Sequence, residues 1–341
     1  MSILVKHPGL FTTVQDQGRH GYQKFGVVVG GAMDLFAFRM SNLLVGNDQG
    51  EAGLEVTLRG PELEFLADTV IAICGGDLSP MLDSKHVPMW RPIYIRKGCV
   101  LHFGAIQTGC RAYIAIAGGI DVNHVLGSVS TYTRANLGGF KGRALQKGDI
   151  LPLKEPFYTI EKYRQQFNLI KDSSVSISKF SLNHKVLPPY RNNPCVRFVR
   201  GRQYDDFSSE AKRRLVTSSY RVSSKSDRMG YRLEGPALML QEPKEMISET
   251  ILFGTIQVPP DGQPIILMAD RQTTGGYPKI AQVIFVDLPI LAQVKPGETL
   301  TLQEVSLQVA EQLYLKQEAT LQFMQKRLRL YWETGVLINQ K

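Results

Sequence analysis

The chain has 341 residues, 43% hydrophobic and 21% charged, with four cysteines and a net charge of +9. That balance suits two globular domains or one large β domain, and it excludes a disordered chain or a disulfide scaffold. No apolar run approaches the roughly 20 residues of a membrane helix, and MSILVKHPGLF at the start has no basic stretch leading into an apolar one, so a cytoplasmic protein without membrane contact is expected.

The basic excess is uneven. Residues 1–150 hold 14 Lys+Arg against 12 Asp+Glu, and the remainder holds 26 against 19. Aromatic-interleaved RNA motifs and recognition-helix patterns are missing, so nucleic acid is not the expected partner. A small anionic substrate or an acidic protein fits the charge as well. Cys74, Cys99, Cys110 and Cys195 are irregularly spaced, with no C-x-x-C and no histidine pair at metal spacing. They read as reduced, buried, small apolar residues, and no metal site is expected.

In chain order, residues 2–15 form a strand candidate that runs into Gln15-Asp16-Gln17-Gly18-Arg19-His20-Gly21. This loop either carries function through Asp16 and Arg19 or is a solvated turn. Asp34 is placed to cap a helix whose apolar residues recur at Leu35, Phe38 and Leu43, with Gly46 as its stop. Short strands follow at residues 54–58, 62–65, 70–74, 93–95, 100–103 and 111–117, punctuated by glycine turns. Such spacing points to a sandwich or barrel, not to βαβ units. Gly127–Gly142 is a polar, glycine-rich loop with Thr131, Tyr132 and Arg134. Residues 154–193 show weaker β patterning and end in a Pro-rich stretch, where a domain crossover is expected. The division is then 1–190 and 191–341. Beyond it come a strand at 195–199, a helix at 207–216 capped by Ser208, an Asp227-Arg228-Met229-Gly230 loop, strands at 283–287 and 299–302, and a helix over about 306–332 with Leu307, Ala310, Leu313, Leu321 and Met324 at helical spacing. Lys147–Leu151 resembles Lys295–Leu300, a faint internal repeat.

The richest stretch is Gln257–Pro278, QVPPDGQPIILMADRQTTGGYP. Pro-Pro-Asp-Gly makes a hairpin turn and Ile265–Ala269 a short buried strand. The loop that follows offers a guanidinium fork, an amide, two hydroxyls and two glycines, a set that can surround a phosphate or carboxylate. Its Asp and Thr side chains can equally do no more than cap turns at a barrel rim. The candidate catalytic residues are Arg271, Thr273, Thr274, Asp227 and Arg228. Candidate substrate-binding residues are Gln272, Gly275, Gly276 and Tyr277, with Asp16 and Arg19 from the N-terminal barrel. A structural ion pair between Asp227 and Arg228 is the competing account of those two. P-loop, H-E-x-x-H, G-x-S-x-G and Rossmann signatures are absent.

FTTVQDQGRHG (11–21), GAMDL (31–35), AYIAIAGGID (112–121), GSVSTYTR (127–134), SDRMGYRLEGP (226–236) and the stretch 256–278 together resemble the 5-oxoprolinase C-subunit family. That family is also called KipA, and is related to allophanate hydrolase subunit 2 and to the carboxyltransferase part of urea carboxylase. Arg200-Gly201-Arg202-Gln203 departs from the family's usual Pro-Gly-Pro-Gln. The resemblance implies a mainly β protein of two cyclophilin-like barrels. It implies work with two further 5-oxoprolinase proteins, the KipI-type B subunit together with the A subunit, in ATP-dependent opening of 5-oxo-L-proline to L-glutamate, through phosphorylation of the lactam. Two other readings follow from the same kinship. One is a biotin-dependent carboxyltransferase acting on a urea-like amide; the other is a non-enzymatic regulator that sequesters a kinase-inhibiting partner.

Overall fold

The computed structural model describes residues 1–167 and 174–335. The chain forms two units. One comprises Met1–Gly18, Asp34–Pro188 and Glu318–Lys341; the other comprises Arg19–Met33 and Pro189–Gln317. Arg19 therefore belongs to the second unit and not, as the sequence reading has it, to the N-terminal barrel. The segment that carries it closes on itself, Arg19 N–H donating to Val29 O at 2.7 Å, and Met33 enters the second unit's core.

The first unit runs through strands β1 (Ser2–His7), β2 (Phe11–Gln15), β3 (Gly53–Thr57), β4 (Glu62–Phe65), β5 (Thr69–Asp77), β6 (Pro80–Leu82), β7 (Lys85–His86), β8 (Pro92–Ile95), β9 (Val100–Phe103), β10 (Thr108–Ile116), β11 (Ile150–Pro152) and β12 (Val175–Ile177). Among the described residues these make two six-stranded sheets, ordered β11-β1-β4-β9-β6-β7 and β12-β8-β5-β10-β3-β2. Strand periodicity fills the core: Leu54 and Val56 of β3, Ile71 and Ile73 of β5, and Ala112 and Ile114 of β10 all point into one cluster. The opposite face of β5 and β10 is covered by α1 (Leu35–Leu44), which explains why β10 is buried on both sides.

Asp34 caps α1, its Oδ1 accepting Ala37 N–H at 2.9 Å. Asp34→Ala is expected to destabilise the protein by about 1 kcal/mol or more. Urea unfolding checks this; an unchanged midpoint would remove the cap from the account. Helix α2 (Ile160–Phe167) lies where the sequence suggests weak β structure. Only Tyr163 and Phe167 of its residues are buried, so its short apolar stripe is a faint helical signal.

The second unit closes a barrel of seven strands, in the order β13-β20-β17-β18-β15-β14-β21. These are β13 (Cys195–Arg200), β14 (Ser219–Val222), β15 (Gly230–Glu234), β17 (Thr255–Gln257), β18 (Ile265–Leu267), β20 (Lys279–Val283) and β21 (Thr299–Glu304), while β16 (Glu249–Thr250) and β19 (Thr274–Gly275) form a separate ladder. Ser208 caps α3 (Ser209–Thr217) through Ala211 N–H. The expected strand at 283–287 is not one. Chain direction changes there because Asp287 accepts Arg197 N–H at 2.7 Å and its guanidinium at 2.6 Å, and Pro289 then opens α4 (Leu288–Ala292).

The internal repeat has a physical counterpart, since one turn is built twice. Gly148 (φ 87°) donates to Val5 O and Asp149 O accepts Val5 N–H, at 2.8 and 2.9 Å. Gly297 (φ 90°) donates to Val222 O and Glu298 O accepts Val222 N–H, at 2.7 and 2.8 Å. Both turns need the left-handed conformation that glycine adopts without strain.

The long helix α5 (Leu307–Thr334) groups with the second unit through Gln317 and with the first from Glu318. Of the expected stripe, Leu321 and Met324 are buried but Leu307 is 68% exposed. The anchors the sequence reading misses are Leu328, Tyr331 and Trp332; the Trp332 ring lies 4.8 Å from that of Tyr163. No helix among the described residues is long and apolar enough to cross a membrane.

Candidate functional site

The stretch 257–278 forms the expected hairpin, β17 pairing antiparallel with β18 through Ile256 and Ile266. Gly262 turns it at φ +76°, with Ala237 Cβ only 2.8 Å from where a side chain would start. Beyond β18 the chain leaves the barrel wall at Met268 and rejoins it at β20. What lies between is the candidate loop.

Arg228 anchors the start of this loop. Its guanidinium grips Asp270 bidentately, Nε to Oδ2 at 2.9 Å and Nη2 to Oδ1 at 3.0 Å, and Nη2 also reaches Gly31 O at 2.6 Å. Backbone bonds run alongside, Asp270 N–H to Arg228 O and Met268 N–H to Met229 O. Both charged side chains are buried. Arg228 is thus a positioning residue that holds the Asp270 carboxylate at the root of the loop. Asp227 is exposed and folds its own turn, Oδ1 accepting from Met229 and Gly230 N–H at 2.8 and 3.3 Å.

Arg271 is the loop's reactive-looking charge. It is largely buried, and desolvation pulls its guanidinium pKa down to about 10 despite the opposing field of Asp270. Nη1 makes only long contacts to Met268 O and Ala269 O, at 3.3 and 3.5 Å, and the group lies 5.8 Å from the Phe253 ring. Nε is buried with no hydrogen-bond partner among the described residues. Asp270 cannot neutralise it fully, since that carboxylate is already spanned by Arg228. A cation held this way favours an incoming anion.

The rest of the loop supplies donors. Thr274–Gly275 pairs with Glu249–Thr250, and Thr273 O accepts Ile251 N–H at 3.2 Å. The backbone N–H groups of Gln272, Thr273, Gly276 and Tyr277 have no partner among the described residues. Unpaired amides and a poorly solvated arginine on one loop are donors of the kind that bind phosphate or carboxylate. Gly275 is held close to Ile251 and Gln257, whose atoms lie 3.1–3.4 Å from a Cβ added there.

Sequence reasoning missed the support beneath this loop. Lys279, buried, donates to Glu249 Oε2 and Gly275 O, both at 3.3 Å, and Arg202 meets Glu249 Oε1 at 3.0 Å. The Lys279 ammonium holds the Glu249 carboxyl below its usual range. Gln203 Oε1 accepts Lys279 N–H at 3.1 Å, and Gly201 sits so close that an added Cβ would stand 2.3 Å from Lys279 O. The Arg200–Gln203 departure thus bears on the loop through Glu249. A lysine opening the short strand Lys279–Val283, directly after the glycine-rich loop, was the available signal.

Asp16 lies in the first unit, where it organises the 127–134 loop. Its carboxylate accepts Val129 N–H at 2.7 Å and Ser128 Oγ–H at 2.8 Å, as well as Gly18 N–H and the Ser130 hydroxyl. An acid so fully bonded is a structural organiser. Arg19 is wholly buried in the second unit.

The class of protein follows from comparison: residues 25–304 match the family described as carboxyltransferase domain, subdomain A and B. The chain is 39% identical over 309 residues to the C subunit of 5-oxoprolinase from Haemophilus influenzae, covering 91% of this chain and 93% of the relative. It is 37% identical over 326 residues to the same 5-oxoprolinase subunit of Escherichia coli, covering 95% and 97%. The chain belongs to the 5-oxoprolinase C-subunit family. It also superimposes on the crystal structure of the K. lactis urea amidolyase with a TM-score of 0.85 and 32% identity, covering 95% of this chain but only 20% of that one.

Proposed function

We propose that this chain is the C subunit of an ATP-dependent 5-oxoprolinase, working in the cytoplasm with a KipI-type protein in the B role and a further protein in the A role. The observation that carries the reading is the near-complete, two-way coverage of relatives named for that subunit. In this reading the lactam oxygen takes the γ-phosphoryl group of ATP and ADP leaves. Water attacks the activated carbon, the ring C–N bond breaks, and hydrolysis of the resulting acyl phosphate releases phosphate and L-glutamate. Phosphoryl transfer asks mainly for positioning and charge neutralisation. The donor chemistry of the 271–277 loop fits an anionic group: Arg271 neutralises it, the unpaired amides and the Thr273 and Thr274 hydroxyls bind it, and Gln272 and Tyr277 flank it.

The likeness to urea amidolyase supports a second reading, biotin-dependent carboxyl transfer to a urea-like amide. One experiment separates the two. The chain is purified alone and assembled with the A-type and B-type proteins, and ADP and L-glutamate are measured with 5-oxo-L-proline or urea as substrate. The expected result is 5-oxoproline-dependent ADP and glutamate from the complex and none from the single chain. Turnover with urea alone, or by the single chain, sinks the proposal.

A further inference from the structure

In the second unit a cleft of about 630 Å³ opens beside the candidate loop, and Gly276 and Tyr277 belong to both. This volume suits a small molecule of nucleotide size. Its lining includes Phe207, Met239, Met246 and Tyr277, with Pro259 and Pro260 on the hairpin turn. Tyr277 is 43% exposed and Met239 51%, so an aromatic face and a thioether stand at the mouth. Methionine sulfur and tyrosine rings pack well against a flat aromatic ring. At the shared wall the Gly276 and Tyr277 N–H groups have no partner among the described residues, and the loop continues back to Arg271.

We infer that this cleft holds the base of a nucleoside triphosphate whose phosphates lie along the 271–277 loop, which makes this chain the nucleotide-binding member of its complex. The inference rests on the ATP-dependent reading above and adds the place and orientation of the nucleotide. One apolar chamber and one row of anion donors, joined at Gly276-Tyr277, match a ligand with a ring at one end and charge at the other.

The test titrates N-methylanthraniloyl-ATP into the full chain and into the assembled complex, reading its fluorescence. Expected is saturable binding, displaced by ATP but not by tripolyphosphate at the same concentration. Met246→Trp, which fills the cleft, weakens binding by about tenfold or more. Met239→Asp, an exposed rim change that leaves folding untouched, weakens it similarly, while Met246→Leu binds like the parent. Parent-like binding by both Met246→Trp and Met239→Asp, or equal displacement by tripolyphosphate, overturns the inference. So does loss of association with the KipI-type protein in those variants with nucleotide binding intact, which would make the cleft a protein-docking site. A complex that converts 5-oxoproline while both variants bind normally removes this inference and keeps the functional reading. Cleft-dependent binding in a complex inert toward 5-oxoproline does the reverse.

Discussion

Arg271→Lys is expected to lower the 5-oxoproline-dependent activity of the assembled complex at least tenfold, by about 1.5–3 kcal/mol of lost charge-assisted hydrogen bonding. Lysine keeps the charge but not the planar fork. The present guanidinium is poorly solvated and makes only long carbonyl contacts, so little in the protein competes with a ligand for it. An ammonium in its place can swing away to water. Association with the proposed KipI-type partner is expected to survive, because Arg271 is half-buried and turned back onto Met268 O and Ala269 O. Pull-down and turnover measured on one preparation decide the matter. Full activity in both Arg271→Lys and Thr274→Ala would reduce the loop to a barrel rim.

Arg228→Met should have the largest effect on stability. It leaves the buried Asp270 carboxylate without the bidentate partner that spans both its oxygens. Breaking one side of a buried pair typically costs about 3–5 kcal/mol. Replacing both, as Arg228→Met with Asp270→Leu, removes the stranded charge and should recover part of that loss. Urea midpoints of the two variants test this: a single variant within about 1 kcal/mol of the parent would mean the pair contributes little. Activity should fall in both, since Asp270 fixes the point from which the loop departs.

The hairpin, most strands and the capped helix α1 were legible in the sequence because each follows a local rule. Asp34 takes an α1 amide that has no partner within the helix, and β3 and β10 pair residue by residue. The loop that gathers unpaired amides was legible from its Arg, Thr and Gly content. The roles within it were not. Arg228 reaches inward to Asp270, 42 residues further along the chain, and Asp227 also folds its own turn, neither of which adjacency in the sequence announces. Glu249 pairs with Gly275 in a ladder of two short strands and its side chain meets Lys279 of β20, a placement that no local pattern announces. Val283–Asp287 looks like a strand by its apolar run, and only the distant Arg197 shows why it turns. Arg19 fails for a related reason: unit membership depends on where a segment packs, not on its place in the chain.

That discontinuity has a consequence for synthesis on the ribosome. The first unit includes residues 1–18, yet Tyr331 and Trp332 complete its packing: Tyr331 OH shares a 2.9 Å hydrogen bond with Ser178 Oγ, and Trp332 is wholly buried against Tyr163. Chains usually fold their earliest-made domain first. Here the body whose strands are made first must wait, with an aromatic socket open, until residues 331 and 332 have been released. A nascent chain stalled before residue 318 lacks its own closing plug, and the unit translated later has every one of its segments first.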